Sequence, residues 1–536
     1  MSTTVQEAVR PAAAPPPATS PTDEALAEEA LAEEAPTDEA PTDEAPAGAP
    51  LRLRWLLLAV VTGASFLDSL DVNIVTVVLP AVQRDLGAEF ATAQWTLAGY
   101  ALAFSLFLIT GGRLGDIHGR KRVFLAGVVG FTLASAVCGF APNAELLIAA
   151  RLLQGLTAAL MVPQVMSVIV TLFRPKEWPV AFAVLGAALT LGSVGGPLLG
   201  GLLTGLDLFG LGWRVIFLVN VPLGLLITAL AARLLPENRQ EGPARLDLPG
   251  VALLTAAAFA LMYPLVQGRE QGWPAWMLLS VLAAPVLLVL FARHQRRRHA
   301  RDGSALVPPP LFARRSFAVG LAVTLLAFTG IGSLALILTY HLQYGLGWSV
   351  LRTALATAAW PVGIAVTFQI AWRHGMRRGR LFVGAGAAVM AAGSLLLMAA
   401  VRTAGADLSW WQVAGAELVV GFGMGLCSPV LASTVLSEVP PQDSGAGSGV
   451  VNAVTQFGSA AGVAVVGAIF LAATGDVATD VLDPARIDRF CSATGATLWY
   501  NAGAFALTAL LSRLLPAPAT DSSSDSATKP AEGAPA

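Results

Sequence analysis

The residues of this chain that could do chemistry are a few charged side chains inside long apolar segments. Asp68 and Asp71 lie three positions apart in the first apolar segment, so a helix would place them on one face. Arg151 lies in the fourth segment and Glu417 in the twelfth. Such groups cost about 2.5–3.5 kcal/mol each at the centre of a bilayer on insertion scales, and they mark proton and substrate pathways. The pattern predicts a proton-coupling group of Asp71, Asp68 and Arg151.

Each of these residues also has a purely structural interpretation. Asp71 and Arg151 could form an ion pair that only stabilises the helices, because a buried arginine needs a partner or a water-filled cavity. Asp68 could equally be a structural acid. Glu417 could bind a proton or a cationic compound, or it could be a hydrogen-bonded structural residue. Transport measurements on variants discriminate between these interpretations.

The segments that position these residues are too apolar for a water-soluble protein. Hydrophobic residues make up 55% of the 536 residues and charged residues 13%, whereas a soluble domain carries about 25% charge. A run of about 20 apolar residues spans the hydrocarbon of a bilayer, and there the backbone must satisfy its own hydrogen bonds, which requires a helix. Fourteen segments are long enough to cross, at 55–80, 92–112, 123–141, 146–171, 180–204, 213–235, 248–268, 274–292, 317–341, 350–371, 381–400, 410–435, 449–473 and 496–515.

The distribution of basic residues predicts the orientation of these helices. Lys and Arg are concentrated in the loops that follow even-numbered segments, and basic loops remain in the cytoplasm, so both termini are predicted to be cytoplasmic. The predicted fold is an all-α polytopic membrane protein with two six-helix bundles and two extra central transmembrane helices. The predicted regions are a disordered acidic tail (1–50), a first bundle (51–235), a two-helix insert with a basic cytoplasmic linker (236–315), a second bundle (316–515) and a disordered C-terminal tail (516–536).

The loop between segments 2 and 3 combines glycines with charges. Gly112 and Gly119 permit a tight turn. Asp116 can pair with Arg120 or interact with a helix N-terminus. The tendency of basic loops to remain in the cytoplasm explains the bases of this loop, but it explains neither the glycines nor the acid. These four residues are therefore candidates for a role beyond topology.

Segment 5 carries glycines at helical spacing. Gly192, Gly196 and Gly200 recur every four residues and form a face of small residues on which another helix can approach closely. Pro197 can kink this helix, and Gly201 follows the last of the three. The segment is therefore predicted to pack tightly against a neighbouring helix.

These stretches resemble the major facilitator superfamily and, more narrowly, its fourteen-helix drug:proton antiporter family. The run from Gly112 to Arg122 is similar to the superfamily's signature loop, although an isoleucine stands where a base is usual. Leu70–Pro80 resembles the segment-1 motif of the family, with Asp71 as its acid and its two polar positions in swapped order. Further similar stretches are Arg151–Ala159 in segment 4, Gly192–Gly201 in segment 5 and Trp213–Gly224 in segment 6.

The resemblance implies a mechanism and a direction of transport. It implies that contacts of Asp116 lock one conformation, that Arg151 assists proton transfer, and that the segment-5 motif belongs to exporters rather than symporters. The implied function is proton-coupled efflux of small amphipathic or apolar compounds, such as antibiotics, by alternating access across the cytoplasmic membrane. A proton-linked importer, or an exporter or flippase of an endogenous metabolite or lipid, is an alternative on the same fold. A membrane sensor without transport is a further alternative, but it would not need these intramembrane charges.

The substrate site of such a protein would combine aromatic and apolar walls with a few polar groups. The candidate contacts share an aromatic, amide or acidic side chain within an apolar segment. They are Trp95, Tyr100, Gln164, Tyr340, Gln343, Trp360 and Glu417.

The remaining expectations concern what accompanies transport. The sequence contains no phosphate loop and no Cys/His cluster, so we expect no enzyme activity, no metal and no cofactor. Cys138 and Cys427 are expected to be packing residues, and Cys491 to lie in a polar loop. The expected partners are protons, a drug-like small molecule and the lipid bilayer of the cell membrane. We expect no nucleic acid partner and a monomeric protein.

Overall fold

The structure is a computed structural model, and it describes residues 51–237, 246–302, 305–375, 378–440, 443–474 and 484–516. The disordered tails predicted at 1–50 and 516–536 lie outside these residues, apart from Pro516.

The described residues form helices and turns, without a β-strand among them. The long helices of the first half are α1 (Leu51–Leu86), α2 (Phe90–His118), α3 (Arg120–Gly139), α4 (Ala144–Leu172), α5 (Trp178–Leu206) and α6 (Val215–Leu218 and Asn220–Leu234). They are followed by α7 (Leu248–Gln267), α8 (Ala275–Asp302), α9 (Arg315–Tyr340), α10 (Val350–Thr357 and Ala359–Ile370), α11 (Gly379–Ala404), α12 (Trp410–Leu436), α13 (Ser444–Thr474) and α14 (Pro484–Leu511).

Thirteen helices of the described part are long and apolar enough to cross a membrane. Helix α14 is 28 residues long and is less apolar, because polar residues such as Asn501 lie within it. Asn501 is fully buried and its side-chain oxygen accepts a hydrogen bond from Ser333 of α9, at 2.8 Å. Asn501 is thus directed towards another helix, and Thr494, Thr497 and Thr508 of α14 are also buried.

Two groups of six helices form the body of the protein. Helices α1–α6 pack mainly against one another, and so do α9–α14. The groups meet where α2 packs against α13, α5 against α10 and α1 against α9. Helices α7 and α8 form a hairpin outside this body, in which α7 lies against both α2 and α13. Below, the end of the helices that carries the basic loops is called the basic end, and the other is the opposite end.

Two helix boundaries correct the sequence-based prediction. Helix α14 begins at Pro484 rather than near residue 496, so Cys491 lies in a helix and not in a polar loop. The extra turns bury Arg486, Phe490 and Ala493 on one side, at spacings that hydropathy averaged along the chain does not detect. Helix α8 extends about ten residues beyond the predicted end at 292, to Asp302.

Candidate functional site: a buried ion pair beside a central cavity

The centre of the first helix group contains a buried ion pair between Asp71 of α1 and Arg151 of α4. The side chain of Asp71 is 0% exposed and that of Arg151 is 1% exposed. Gln154 and Asn220 each donate a side-chain hydrogen bond to Oδ1 of Asp71, at 2.9 and 2.8 Å. Arg151 also donates from Nε to the backbone carbonyl of Thr96, at 2.9 Å. The carboxylate therefore joins three helices of one bundle, and each charge has the partner that burial requires.

The second predicted acid, Asp68, has a different partner. It accepts a hydrogen bond from the hydroxyl group of Tyr100 on α2. The guanidinium carbon of Arg151 lies 4.3 Å from the centre of the Tyr100 ring, a distance at which a cation is attracted to the ring face. Tyr100 thus separates Asp68 from the arginine, and the three predicted coupling residues lie in one cluster although only Asp71 contacts the base.

The sequence did not identify Gln154 or Asn220 as a partner of Asp71; Asn220, with Pro222, suggested only a local unwinding of its helix. Both lie within stretches that resemble family motifs, and both are fully buried polar residues in apolar helices. Asn220 also donates a hydrogen bond to Ser135 of α3, at 3.0 Å. An amide side chain inside an apolar segment is the signal that could have identified each of them. Their partner could not be identified in this way, because Asp71 lies about 80 or more positions away in the sequence.

A cavity of about 220 Å³ lies between the two helix groups, directly beside the ion pair. Arg151 and Tyr100 form part of its wall on the first-group side. Glu417 and Trp360 face it from the second group. Further lining residues are mostly apolar, with polar groups at Asn73, Thr76, Ser193, Gln456 and Ser459. Apolar walls with a few polar groups are typical of small-molecule sites.

Glu417 of α12 is the acid of the second group that reaches this cavity. It is 5% exposed, and its Oε1 has no hydrogen-bond partner among the described residues. Buried polar atoms are normally hydrogen-bonded, so an unpartnered carboxyl oxygen at a cavity wall is available to a ligand.

Three of the seven predicted substrate contacts line the cavity: Tyr100, Trp360 and Glu417. The other four are not among its lining residues, because other parts of the protein engage their side chains. Trp95 stacks on Phe259 of α7, with 6.2 Å between the ring centres. The Gln164 amide donates a hydrogen bond to the backbone carbonyl of Gly111, at 2.8 Å. Tyr340 donates to the side chain of Gln83 at 2.8 Å, and Gln343 donates to the carbonyl of Val77 at 2.7 Å.

Hydrogen bonds join the two groups at the opposite end. Tyr340 and Gln343 reach α1 from the C-terminal end of α9, and Tyr344 donates to the carbonyl of Pro80 at 3.1 Å. Gln94 of α2 donates to the carbonyl of Val463 on α13, at 2.7 Å. The two groups are thus held together on that side of the cavity.

Replacing Gln343 with leucine is expected to weaken this closure. A hydrogen bond contributes about 0.5–1.5 kcal/mol, so the opposite end should open about 2- to 10-fold more often. The measurement is the rate at which a membrane-impermeant maleimide, added on that side, labels a cysteine placed at Thr76. The three native cysteines are replaced first. Gln369→Leu on α10 is the matched control, because Gln369 is exposed, and equal labelling of both variants would contradict the expectation.

The predicted signature loop is a short break between two helices. Gly112 and Asp116 lie within α2, so the tight turn predicted at Gly112 is wrong, and the turn is at Gly119. Helix α2 continues to His118, and Gly119, at φ 98°, separates it from α3. That backbone conformation favours glycine, and a Cβ there would lie 2.2 Å from a carboxyl oxygen of Glu237. Asp116 and Arg120 form an ion pair at 3.4 Å, as the sequence suggested. Gly112 has only Pro163 nearby, at 3.7 Å from its would-be Cβ.

The glycine face of α5 packs against α1. A Cβ at Gly192, Gly196 or Gly200 would lie 2.8–2.9 Å from Ser69, Asn73 or Ile74, which is closer than real side chains approach. Gly201 faces the other helix group, where a Cβ added to it would lie 2.8 Å from Cα of Leu351 on α10. Pro197 lines the cavity. The face therefore sets the distance between α5 and the helix that carries Asp71.

Comparisons with known proteins agree with this architecture. Residues 61–463 and 323–532 match the family model of the Major Facilitator Superfamily. A probable actinorhodin transporter of Streptomyces coelicolor is 42% identical over 435 residues, which cover 81% of this chain and 75% of that protein. The chain belongs to the drug-efflux family of the Major Facilitator Superfamily. It is accordingly a multi-pass protein of the cell membrane.

Two further similar proteins extend the comparison. The puromycin resistance protein pur8 of Streptomyces alboniger is 36% identical over 470 residues, covering 86% of this chain and 91% of that protein. A bacterial homologue of the human lysosomal transporter Spinster, solved in an inward-facing and unoccupied conformation, has a TM-score of 0.61. It is 17% identical and covers 87% of this chain and 98% of that structure, a likeness that concerns the fold alone.

Proposed function

We propose that this protein exports small amphipathic or apolar compounds, antibiotics among them, in exchange for protons. The observation that carries the proposal is the buried Asp71–Arg151 pair, whose arginine lines a cavity between the two helix groups. The relatives named as an actinorhodin transporter and a puromycin resistance protein support antibiotics as the substrate class. The protein acts as a carrier rather than an enzyme, and a monomer suffices because one chain supplies both walls of the cavity.

The proposed cycle uses the charge of Asp71 as the link between proton and substrate. A proton that reaches the carboxylate removes the negative partner of Arg151, and the buried guanidinium then has to find other partners. This loss changes the relative stability of the two orientations of the helix groups. Return of the proton to the cytoplasm restores the pair. No bound cofactor is needed, because the proton gradient supplies the free energy.

The cavity favours substrates with an apolar body and few polar groups. Trp360 and Tyr100 offer aromatic surfaces from opposite walls, and Met424 adds a flexible apolar contact. Glu417 offers a carboxyl oxygen that has no hydrogen-bond partner in the part of the chain that the structure describes. A compound that carries a hydrogen-bond donor or an amine on an aromatic frame matches this arrangement.

The test is proton movement in inverted vesicles that contain the full-length protein. After the interior is acidified, compounds are added outside: cationic dyes, neutral antibiotics and polyketide-like aromatics. Export into the vesicle in exchange for protons is expected to raise the interior pH only when protein and substrate are both present. Vesicles without the protein control for passive entry of weak bases. Transport of radiolabelled compound without any pH change would reject proton coupling, and no transport of any compound would reject drug efflux.

A further inference from the structure

Helix α8 is longer than a bilayer requires. Its 28 residues, Ala275–Asp302, correspond to about 42 Å at 1.5 Å per residue, whereas the hydrocarbon region is about 30 Å thick. The last ten residues therefore lie at the membrane surface at the basic end. They include arginines at 293, 296, 297, 298 and 301. Helix α8 thus continues from lipid into the headgroup region without a break.

The exposed arginines lie on the same side of α8 as its exposed apolar residues. Leu282, Val286 and Val289 are 67%, 58% and 51% exposed at spacings of three to four residues, as expected for a surface in contact with lipid. The same spacing leads on to four exposed arginines, which we call the arginine stripe: Arg293, Arg296, Arg297 and Arg301. Val286, Val289 and the arginine stripe all follow Pro285, the proline inside α8, so they lie on one side of the same helical stretch. The arginine stripe therefore lies above the lipid that contacts these apolar residues.

The other side of this stretch is fixed to the protein. Asp247, fully buried at the start of α7, accepts a hydrogen bond from Gln295 at 2.7 Å and lies 2.7 Å from the imidazole of His294. Burial opposes ionisation of Asp247, but the hydrogen bonds from His294 and Gln295 hold its pKa below the usual range. Gln295 in turn accepts a hydrogen bond from the backbone of Val307 in the linker, at 3.3 Å. These contacts fix the rotation of α8 and therefore the direction of the arginine stripe.

The four arginines of the stripe form no ion pair or hydrogen bond with any residue that the structure describes. Control of topology requires positive charge on one side of the membrane, but it does not require that charge on one side of an anchored helix. Long arginine side chains place their charged ends among headgroups while their stems cover apolar surface. Anionic phosphates are the groups within reach that complement them.

We propose that the arginine stripe binds anionic phospholipid headgroups of the surrounding bilayer, on the leaflet at the basic end. The proposal concerns a lipid contact and holds whether or not the protein exchanges drugs for protons. It assigns a role to the hairpin α7–α8, which contributes no lining residue to the central cavity. Each arginine is expected to strengthen binding of such a headgroup about fivefold.

The experiment compares lipid binding by full-length variants in detergent. Native mass spectrometry measures the dissociation constant of the first bound phosphatidylglycerol and of the first bound phosphatidylcholine. The wild type is expected to prefer phosphatidylglycerol. The triple variant R293Q/R296Q/R297Q should bind phosphatidylglycerol at least about tenfold more weakly, with little change for phosphatidylcholine. Higher salt should reduce the wild-type preference, because the contact is electrostatic and exposed.

Two further variants separate headgroup binding from general effects of charge and folding. R233Q/R373Q/R378Q removes three exposed arginines from other helix ends and should keep the wild-type preference. R293K/R296K/R297K keeps the charge of the stripe and should also keep the preference. The proposal is overturned if the wild type binds both lipids equally, if the stripe and control variants lose the preference equally, or if the lysine variant loses it.

Discussion

Replacing Asp71 with asparagine is expected to abolish proton-coupled export while the protein remains in the membrane. Asparagine keeps the size of the side chain and one oxygen that Gln154 and Asn220 can use. It removes the negative charge opposite Arg151, which is 1% exposed and would be left without a counter-ion. Breaking a buried ion pair in this way costs about 3–5 kcal/mol, so the variant should also denature at a lower temperature. The measurement is substrate-dependent alkalinisation of acidified inverted vesicles.

Two comparison variants separate loss of coupling from loss of folding. Asp85→Asn makes the same chemical change on the same helix, but Asp85 is 47% exposed and pairs with Arg214 at the opposite end, so export should continue. Asp71→Asn combined with Arg151→Gln removes the unpaired guanidinium, so thermal stability should recover while coupled export stays absent. Export at the wild-type rate, with proton exchange, by Asp71→Asn alone would show that the pair is only structural.

Replacing Gly196 with valine is expected to destabilise the protein and to reduce export. A Cβ at Gly196 would lie 2.8 Å from Cβ of Asn73 and 2.9 Å from the backbone nitrogen of Ile74. Because one of these contacts is with backbone, α1 has to move and takes Asp71 with it. Overpacking of this kind costs about 1–3 kcal/mol. The measurement is the denaturation temperature in detergent, with export by the same preparation.

The chain offers a matched control on the same helix. A Cβ at Gly186 would meet nothing within 4 Å, so Gly186→Val adds the same side chain to α5 without a contact with α1. It should leave denaturation and export close to those of the wild type. If both variants lower the denaturation temperature equally, the effect belongs to glycine in α5 generally, and the close approach of α5 to α1 is not its cause.

Much of the site could be predicted because a buried charge must have a partner. Asp68, Asp71 and Arg151 are ionisable groups inside apolar segments of the first half, so a pair between Arg151 and one of the two acids could be expected. The structure shows that the acid is Asp71. The glycine face of α5 could be predicted for a similar reason, since small residues at every fourth position serve close packing. In both cases the residue type itself limits what its surroundings can be.

The residues that line the cavity could not be selected in this way. Tyr100 and Tyr340 are both tyrosines in apolar helices, yet one faces the cavity and the other bonds to Gln83 at the opposite end. Local sequence does not record this difference, because it depends on the rotation of α2 and α9 within the packed body. The true length of α8 was missed for a related reason, since its charged turns are held by a distant residue, Asp247. The first turns of α14 were missed because buried residues such as Phe490 alternate there with exposed charges.

Helix α7 covers one of the two sides on which the helix groups meet and leaves the other side uncovered. Helix α7 lies against α2 and α13 together, and so covers the line along which these helices of different groups meet. Glu270 accepts a hydrogen bond from the backbone of Ala91 at the start of α2, and Arg113 near the end of α2 donates to the carbonyl of Ala305 in the linker. These hydrogen bonds thus join the hairpin and the linker to α2 of the first group. In the described part of the chain, no helix of the hairpin has such contacts with α5 and α10, so we expect an apolar substrate to pass between the bilayer and the cavity on that side of the protein.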